Sequence, residues 1–243
     1  MNEILANASF CIIGVGPGDP DLLTLKAVRL INMADVVVYP VISTGHSRAR
    51  KTVSEHVDER HQELPFHLPM EVDPAAAQIA YDDVTEKIRQ HLEAGATVAL
   101  LCEGDPFFYG SAIHIYMRLV DDYTTQIVPG VSSLMAGATA AGLPLAVRSD
   151  VLKVLPATLD TARLEAELAV CEGAAIIKVG RHFDRVARII QDNGLGANAI
   201  VVSAASQDDQ HVVAFNEAVA RQNEDARPYF SMILISRYGR AAQ

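Results

Sequence analysis

The stretch Ala99-Leu100-Leu101-Cys102-Glu103-Gly104-Asp105-Pro106-Phe107-Phe108-Tyr109-Gly110 carries an apolar run, which begins near Thr97, into a polar turn and three aromatic residues. The apolar run is typical of a buried strand. Pro106 cannot donate to a sheet and disfavours helical geometry at Asp105, so the strand should end there. Gly104 lets a ligand approach the main chain closely. Such a strand end is typical of small-molecule sites in α/β proteins, although a tight turn into a helix uses the same residue types.

The composition indicates a globular protein. The chain has 243 residues, of which 50% are hydrophobic and 21% are charged, enough for one large domain or two small ones. Its net charge of -10 disfavours nucleic acid as a partner. No apolar run approaches the roughly 20 residues of a membrane span, and the first nine residues lack signal-peptide features. The widely spaced Cys11, Cys102 and Cys171 predict reduced thiols in a cytoplasmic protein, with neither a zinc site nor a disulfide framework.

The N-terminal part predicts a βαβ unit. Ser9–Gly14 and Asp35–Tyr39 are apolar runs typical of strands, and Pro40 should end the second of them. Between the two runs, apolar residues recur at helical spacing from Asp21 to Ile31. We therefore expect a first strand, a glycine-rich loop, a helix and a second strand.

The glycine-rich loop is Gly14-Val15-Gly16-Pro17-Gly18-Asp19-Pro20. It differs from the dinucleotide fingerprint, because its two prolines stiffen the loop and Asp19 puts a negative charge where a phosphate would bind. This disfavours a nicotinamide-dependent oxidoreductase. A structural turn, in which Asp19 or Asp21 caps the next helix, is the alternative interpretation to a ligand-binding loop.

The same alternation of strands and helices continues to the end of the chain. It restarts after the linker-like segment Leu143–Asp150, which predicts two α/β domains, residues 1–145 and 146–243, with a ligand cleft between them. The further predicted strands are 124–128, 151–155, 174–179, 198–204 and 229–236, and the helices are 73–93, 111–119, 135–141, 161–169 and 183–192.

Several of these stretches together resemble the tetrapyrrole methylase family, whose members use S-adenosylmethionine in cobalamin and sirohaem biosynthesis. They occur in the family's order and cover both halves of the chain. The stretches are Gly14–Asp19 with Leu22–Ala27, Ala34–Tyr39, Glu103–Pro106, Val128–Ser133 and Lys178–Arg181.

The resemblance implies a homodimer of two α/β domains that binds the methyl donor S-adenosylmethionine in the cleft, without a metal. By their chemistry, Asp105 can accept hydrogen bonds from a ribose or an ammonium group, and Phe108 and Val179 offer apolar contacts to adenine or a thioether. The family's donor site maps onto Pro17, Glu103, Gly104, Asp105, Phe108, Ser132, Ser133, Val179 and Ala204, and the candidate substrate contacts are Gly16, Asp19, Tyr109 and Arg148.

Within the family, the chain is similar to members that methylate the C(20) meso carbon of precorrin-2 to give precorrin-3A in cobalamin biosynthesis. The similar features are Tyr39-Pro40, Leu64–Met70, Gly104–Ser111 and Tyr229–Ser231. Two alternatives remain: a cobalt-bearing substrate of the anaerobic route, and a tetrapyrrole-binding protein without catalytic activity. Family members that methylate uroporphyrinogen III carry an Asp where this chain has Pro40, so no general base is assigned.

A tetrapyrrole substrate carries many carboxylates and needs basic partners, although the chain as a whole is acidic. For each candidate cation taken alone, a solvated surface residue is the favoured interpretation. His67 is a candidate proton relay or a structural histidine. The candidate cations are Arg48, Arg50, Lys51, Arg148, Lys153 and Arg181.

Overall fold

The computed structural model describes residues 9–41, 45–68, 74–221 and 230–238. The chain divides into two compact units, one that ends at Ser132 and one that begins at Ser133. Each unit contains a five-stranded sheet. Within the described ranges, no helix has the length and apolar character needed to cross a membrane.

The first unit is built on a parallel sheet with the strand order β3-β2-β4-β1-β5. All five residues of β1 and of β4 are buried, as is typical of central strands that are covered on both faces. The elements are β1 (Phe10–Gly14), α1 (Leu25–Met33), β2 (Val36–Val41), α2 (Arg48–Thr52), β3 (Gln62–His67), α3 (Pro74–Glu93), β4 (Val98–Cys102), α4 (Ala112–Leu119) and β5 (Thr125–Val128).

The prediction that Pro40 ends the second strand is wrong. β2 continues to Val41, and Pro40 lies opposite Phe66 of β3. The pairing of β2 with β4 stops at Val38, so beyond this residue β2 has a neighbour on one side only. Proline has no amide hydrogen to donate, and on the side of Pro40 without a neighbouring strand no hydrogen bond between strands is lost.

The predicted helix from Asp21 to Ile31 is two elements. Residues Pro20–Leu22 form a short 3-10 turn, in which the Asp19 carboxylate accepts a hydrogen bond from the amide of Asp21 at 2.9 Å. The α1 helix then begins at Leu25, with Thr24 as its N-terminal cap. The structure thus assigns the capping of the turn to Asp19 and the capping of the helix to a threonine.

The second unit is built on a mixed sheet with the order β6-β7-β10-β8-β9. Strand β6 is parallel to β7, whereas β10 is antiparallel to both β7 and β8. The elements are α5 (Ser133–Ala141), β6 (Leu152–Pro156), α6 (Thr161–Leu168), β7 (Gly173–Ile177), α7 (Phe183–Asp192), β8 (Ala199–Ser203), β9 (His211–Ala214), α8 (Phe215–Ala220) and β10 (Ser231–Ser236).

The division between the units lies earlier in the chain than the predicted boundary at residues 145 and 146, because α5 belongs with the second sheet. Leu134 of α5 packs in one apolar cluster with Val202 and Leu234. Gly137 comes so close to Met232 that an added Cβ would lie 2.8 Å from its sulfur. The small residues of α5 therefore serve close packing of helix on sheet.

Short or polar elements were missed from the sequence. The predicted strands and helices do not include β3, β9 or α8, and β9 with α8 follows a polar stretch that gives no periodic signal. The predicted helix cap Asp73 and the predicted strand start Tyr229 lie outside the described residues.

Candidate functional site

The candidate site lies at the carboxyl ends of β1 and β4, which are neighbours at the centre of the first sheet. The helices that follow these strands cover opposite faces. Residues of α1 pack with Ile13 and Leu101, whereas residues of α4 pack with Ile12 and Leu100. Such a switch point opens a ligand crevice at the carboxyl ends of the strands. The glycine-rich loop after β1 and the turn after β4 therefore flank the candidate site.

The main chains of the loops at the ends of β1, β4 and β5 approach one another closely. A Cβ at Gly14 would lie 2.6 Å from the Gly130 nitrogen and 2.7 Å from the Gly104 oxygen. Gly16 and Gly104 form an antiparallel bridge, in which the Gly104 amide donates to the Gly16 carbonyl at 2.8 Å. Both have positive φ angles, +77° and +65°. Glycine suits this conformation and leaves the main chain open to a ligand.

Asp105 joins two of these turns. Its Oδ1 accepts a hydrogen bond from the amide of Phe107 at 2.9 Å, and its Oδ2 accepts one from the amide of Gly130 at 3.1 Å. The carboxylate thus fixes the turn after β4 to the turn after β5. Each oxygen keeps a further lone pair with which it can accept from a ligand.

Glu103 lies directly after β4, beside Gly104, and is half-buried. Burial raises the pKa of its carboxyl group, and the charge of Arg48 and the amide of Ala49 oppose this effect. Arg48 and Ala49 are the first two residues of α2. A carboxylate at the crevice therefore faces the start of α2.

Two further contacts hold α2 near the strand ends. The Arg50 guanidinium donates to both oxygens of Glu63 on β3, at 2.7 and 3.1 Å, and the Tyr39 hydroxyl donates to the same carboxylate at 2.6 Å. Burial and this carboxylate raise the pKa of Tyr39 to about 12. The hydroxyl of Thr52 reaches the Gly18 carbonyl at 3.5 Å. Helix α2 is thus connected to β2, β3 and the glycine-rich loop.

Replacing Glu63 by glutamine should lower the free energy of unfolding by about 1 kcal/mol at neutral pH, because the pair is partly screened by solvent. The hydrogen bond from Arg50 lowers the pKa of Glu63 below 4.5. The stabilisation by this ion pair is therefore present above pH 4.5. It is lost as the pH falls through the lower pKa that Glu63 has in the folded protein. Urea unfolding at neutral and acidic pH checks this, and a variant whose deficit persists in acid would contradict it.

The aromatic residues of the turn after β4 are exposed. Phe108 and Tyr109 are 38% and 48% exposed, and their rings meet edge to face with centroids 5.2 Å apart. Tyr109 has a φ angle of +59°, which is strained for a side chain of this size. The exposed rings leave apolar faces available to a ligand beside Gly104 and Asp105.

In the second unit, Val179 and Ala204 lie at the same end of two strands, just beyond their carboxyl termini. Strands β7 and β8 run in the same direction, since both are antiparallel to β10, and the two residues follow their carboxyl ends. Both are buried. Ala204 has a φ of +47° and donates its amide to the Phe230 carbonyl at 2.9 Å. Backbone strain of this kind often clusters at functional sites.

Arg148 does not lie at this end of the strands. It precedes β6, which is parallel to β7, so it lies at the opposite end of the strands from Val179 and Ala204. Its loop is held by Asp150, whose carboxylate accepts from the Val147 amide at 2.8 Å and from the Tyr238 hydroxyl at 2.7 Å. Within this unit the structure therefore separates the predicted donor contacts from the predicted substrate contact.

The remaining predicted site residues fall on both units. Pro17 is buried, Gly16 and Asp19 lie in the glycine-rich loop, and Ser132 ends the first unit, whereas Ser133 begins α5 of the second. The first unit thus brings together Gly16, Pro17, Asp19, Glu103, Gly104, Asp105, Phe108 and Tyr109 around the ends of β1 and β4.

The candidate cations differ in their surroundings. Arg50 is bound to Glu63, and the Lys153 ammonium donates to the Glu167 carboxylate at 2.9 Å, so both have partners within the protein. Arg48 faces Glu103. Three candidates are exposed, namely Lys51, Arg148 and Arg181. His67 is exposed at the end of β3.

Sequence reasoning missed the role of α2 and the strain at Lys178, whose φ is +58° directly after β7. The contacts of α2 join residues 13 and 34 positions apart, separations that no periodic pattern reports. Among the described residues there is no group of three or more His, Cys, Asp or Glu side chains placed to hold a metal ion.

The sequence model of the tetrapyrrole (corrin/porphyrin) methylases matches residues 9–220. The chain belongs to this family. A curated family member from Sinorhizobium, named precorrin-2 C(20)-methyltransferase, is 37% identical over 92% of this chain and 93% of its own length. The cobalamin biosynthesis protein CobIJ of Mycobacterium tuberculosis is 39% identical, and this chain spans 45% of its length, less than half.

Solved structures of tetrapyrrole methylases share the fold. A cobalt precorrin-4 methyltransferase matches with a TM-score of 0.74 at 23% identity, over 93% of this chain and 94% of its own. The uroporphyrin-III C-methyltransferase of Thermus thermophilus, complexed with S-adenosyl homocysteine, matches with a TM-score of 0.66 at 23% identity, over 94% and 97% of the two chains.

Proposed function

We propose that this protein transfers a methyl group from S-adenosylmethionine to the C(20) meso carbon of precorrin-2, giving precorrin-3A in cobalamin biosynthesis. The observation that carries the proposal is the 37% identity, over nearly the full length of both chains, to the relative named precorrin-2 C(20)-methyltransferase. Relatives named for cobalt-precorrin-2 are 28% and 27% identical, so the metal-free substrate is favoured.

The crevice between β1 and β4 suits S-adenosylmethionine. The donor carries a positive sulfonium and an ammonium group, and the carboxylates of Glu103 and Asp105 follow β4 at this crevice. The bare main chain at Gly16 and Gly104 permits close approach, and exposed Phe108 offers an apolar face. These residues would hold the donor, together with Pro17 and Ser132 of the same unit.

The bound donor supplies an electrophilic methyl group with a neutral thioether as its leaving group. The chain's own task is to align the two reactants, and proximity and orientation can contribute about 7–11 kcal/mol. Exposed Tyr109, with Gly16 and Asp19, would border the ring. A homodimer in the cytoplasm is part of the same proposal.

The test is an anaerobic assay of the purified protein with S-adenosylmethionine and enzymatically prepared precorrin-2, with products followed by mass spectrometry. We expect one added methyl group at C(20), located by NMR with a ¹³C-labelled donor. A parallel assay with cobalt-loaded substrate should be slower. Methylation at another carbon, or faster turnover of the cobalt form, would contradict the proposal. Tight binding of the ring without turnover would instead indicate a carrier.

A further inference from the structure

Glu63 collects three hydrogen bonds at one side of the first sheet. Its carboxylate accepts from the Arg50 guanidinium at 2.7 and 3.1 Å and from the Tyr39 hydroxyl at 2.6 Å. Arg50 lies on α2, Tyr39 on β2 and Glu63 itself on β3. A bidentate pair of arginine and carboxylate fixes an orientation as well as a distance. The carboxylate therefore ties α2 to these two strands in one orientation.

Helix α2 cannot hold this orientation by itself. It has five residues, Arg48–Thr52, and helices shorter than about 12 residues are marginal without tertiary contacts. The Arg50 guanidinium also donates to the Val57 carbonyl at 3.2 Å, which joins the helix to the segment that follows it. The orientation of α2 thus depends on the contacts of Arg50.

Other contacts of α2 lead to the crevice. The amide of Ala49 donates to the Glu103 carboxylate, and the charge of Arg48 faces the same group. Glu103 directly precedes Gly104, whose main chain is bridged to the glycine-rich loop. Ala49 is fully buried, in the apolar cluster that contains Leu101 of β4. Because this packing is close, a change in the orientation of α2 reaches the end of β4.

We propose that Glu63 is a positioning residue of the donor crevice: through Arg50 it sets the orientation of α2, and α2 sets the position of the Glu103 carboxylate. This inference rests on the proposed function, in which Glu103 holds the donor. Glu63 is the second residue of β3, near the amino end of a strand that β2 separates from β4. It therefore acts through α2 and not by contact with the donor.

The network is complete at neutral pH. The hydrogen bond from Arg50 lowers the pKa of Glu63, so the carboxylate is ionised. Burial raises the pKa of Tyr39 to about 12, so its hydroxyl keeps the proton that it donates. In Glu63→Gln one acceptor oxygen becomes an NH₂ group, which cannot accept from Arg50. The substitution breaks the bidentate pair with little change in side-chain volume.

The first experiment measures the affinity for S-adenosylhomocysteine by isothermal titration calorimetry at neutral pH. We expect Glu63→Gln to bind it about tenfold more weakly than the wild type. The loss of stability expected for this variant is small beside the total stability of a folded domain, so unfolding cannot explain the weaker binding. In the methylation assay, KM for S-adenosylmethionine should rise by the same factor, with kcat within about threefold of the wild type.

Asp122→Asn is the matched control. It removes the carboxylate that pairs with Arg89, at 2.8 Å, in the same unit. Asp122 precedes β5, so it lies at the opposite end of the parallel strands from the crevice. The affinity of this variant for S-adenosylhomocysteine should stay within about twofold of the wild type.

A double-mutant cycle tests whether the effect of Glu63 passes through Glu103. Glu103→Gln should itself weaken binding of S-adenosylhomocysteine, because this residue holds the donor. In that background, Glu63→Gln should weaken binding by less than about twofold, since the group that it positions has already been altered. A residue that merely stabilises the fold would give equal losses of affinity in the two backgrounds.

The inference is overturned if Glu63→Gln keeps wild-type affinity, if Asp122→Asn loses as much affinity, or if the losses in the cycle are additive. In each of these cases the wild type still binds S-adenosylhomocysteine, and the proposed function stands. If the wild type does not bind it at all, the proposed function fails and this inference fails with it.

Discussion

Replacing Gly130 by alanine is expected to lower the free energy of unfolding by about 3 kcal/mol, the upper end for an overpacked site. The new Cβ would lie 2.1 Å from the Gly104 carbonyl oxygen and 2.8 Å from the carbonyl carbon of Gly14. Both neighbours are main-chain atoms at the ends of buried strands, so neither can move without disturbing the sheet. Urea denaturation gives the change in free energy.

The same substitution should abolish measurable binding of S-adenosylhomocysteine, since it separates the turns that enclose the crevice. Gly142→Ala is the control. It also has a positive φ, +59°, but an added Cβ there meets nothing within 4 Å, so only the backbone penalty of about 1–2 kcal/mol remains. Equal losses of stability in the two variants would contradict the packing argument.

Replacing Asp105 by alanine is expected to weaken binding of S-adenosylhomocysteine by about 100-fold. The substitution removes two charge-assisted hydrogen bonds, to the amides of Phe107 and Gly130. Hydrogen bonds of this type contribute about 1.5–3 kcal/mol each, and part of the loss will appear as lower stability. Isothermal titration calorimetry measures the affinity.

Asn provides a graded variant at this position. Its side chain has a single acceptor oxygen, so Asp105→Asn can satisfy only one of the two amides, and an intermediate loss of about tenfold is expected. Asp160→Ala is the control, because it removes a comparable carboxylate bond to the Arg163 amide, at 2.8 Å, from a helix cap. The control should lose about 1 kcal/mol of stability and keep its affinity. An Asp105→Ala variant with wild-type affinity would refute the role of the turn.

The central strands could be predicted from the sequence because burial on both faces leaves continuous apolar runs. The runs before Gly14 and after Thr97 are examples, and the adjoining structure follows them closely. The strand through Pro40 could not be predicted, because the tolerance of a proline depends on which neighbour the strand has at that residue.

The candidate site could be predicted in part for the same reason. The loop after β1 and the turn after β4 stand out by their glycines and carboxylates, and strand order brings them together. The contacts of Arg50 and Arg48 with Glu63 and Glu103 could not be predicted, since they depend on how α2 packs. Two predicted substrate cations, Arg50 and Lys153, instead have partners inside the protein.

The position of β10 has a consequence for biosynthesis. This strand lies between β7 and β8 in the sheet, although it follows both of them in the chain. During synthesis, β7 and β8 leave the ribosome before β10, the strand that pairs with both of them. The first sheet, in contrast, has all its strands before Ser132. During translation the N-terminal unit can therefore fold early, whereas the C-terminal sheet must wait for residues 231–236.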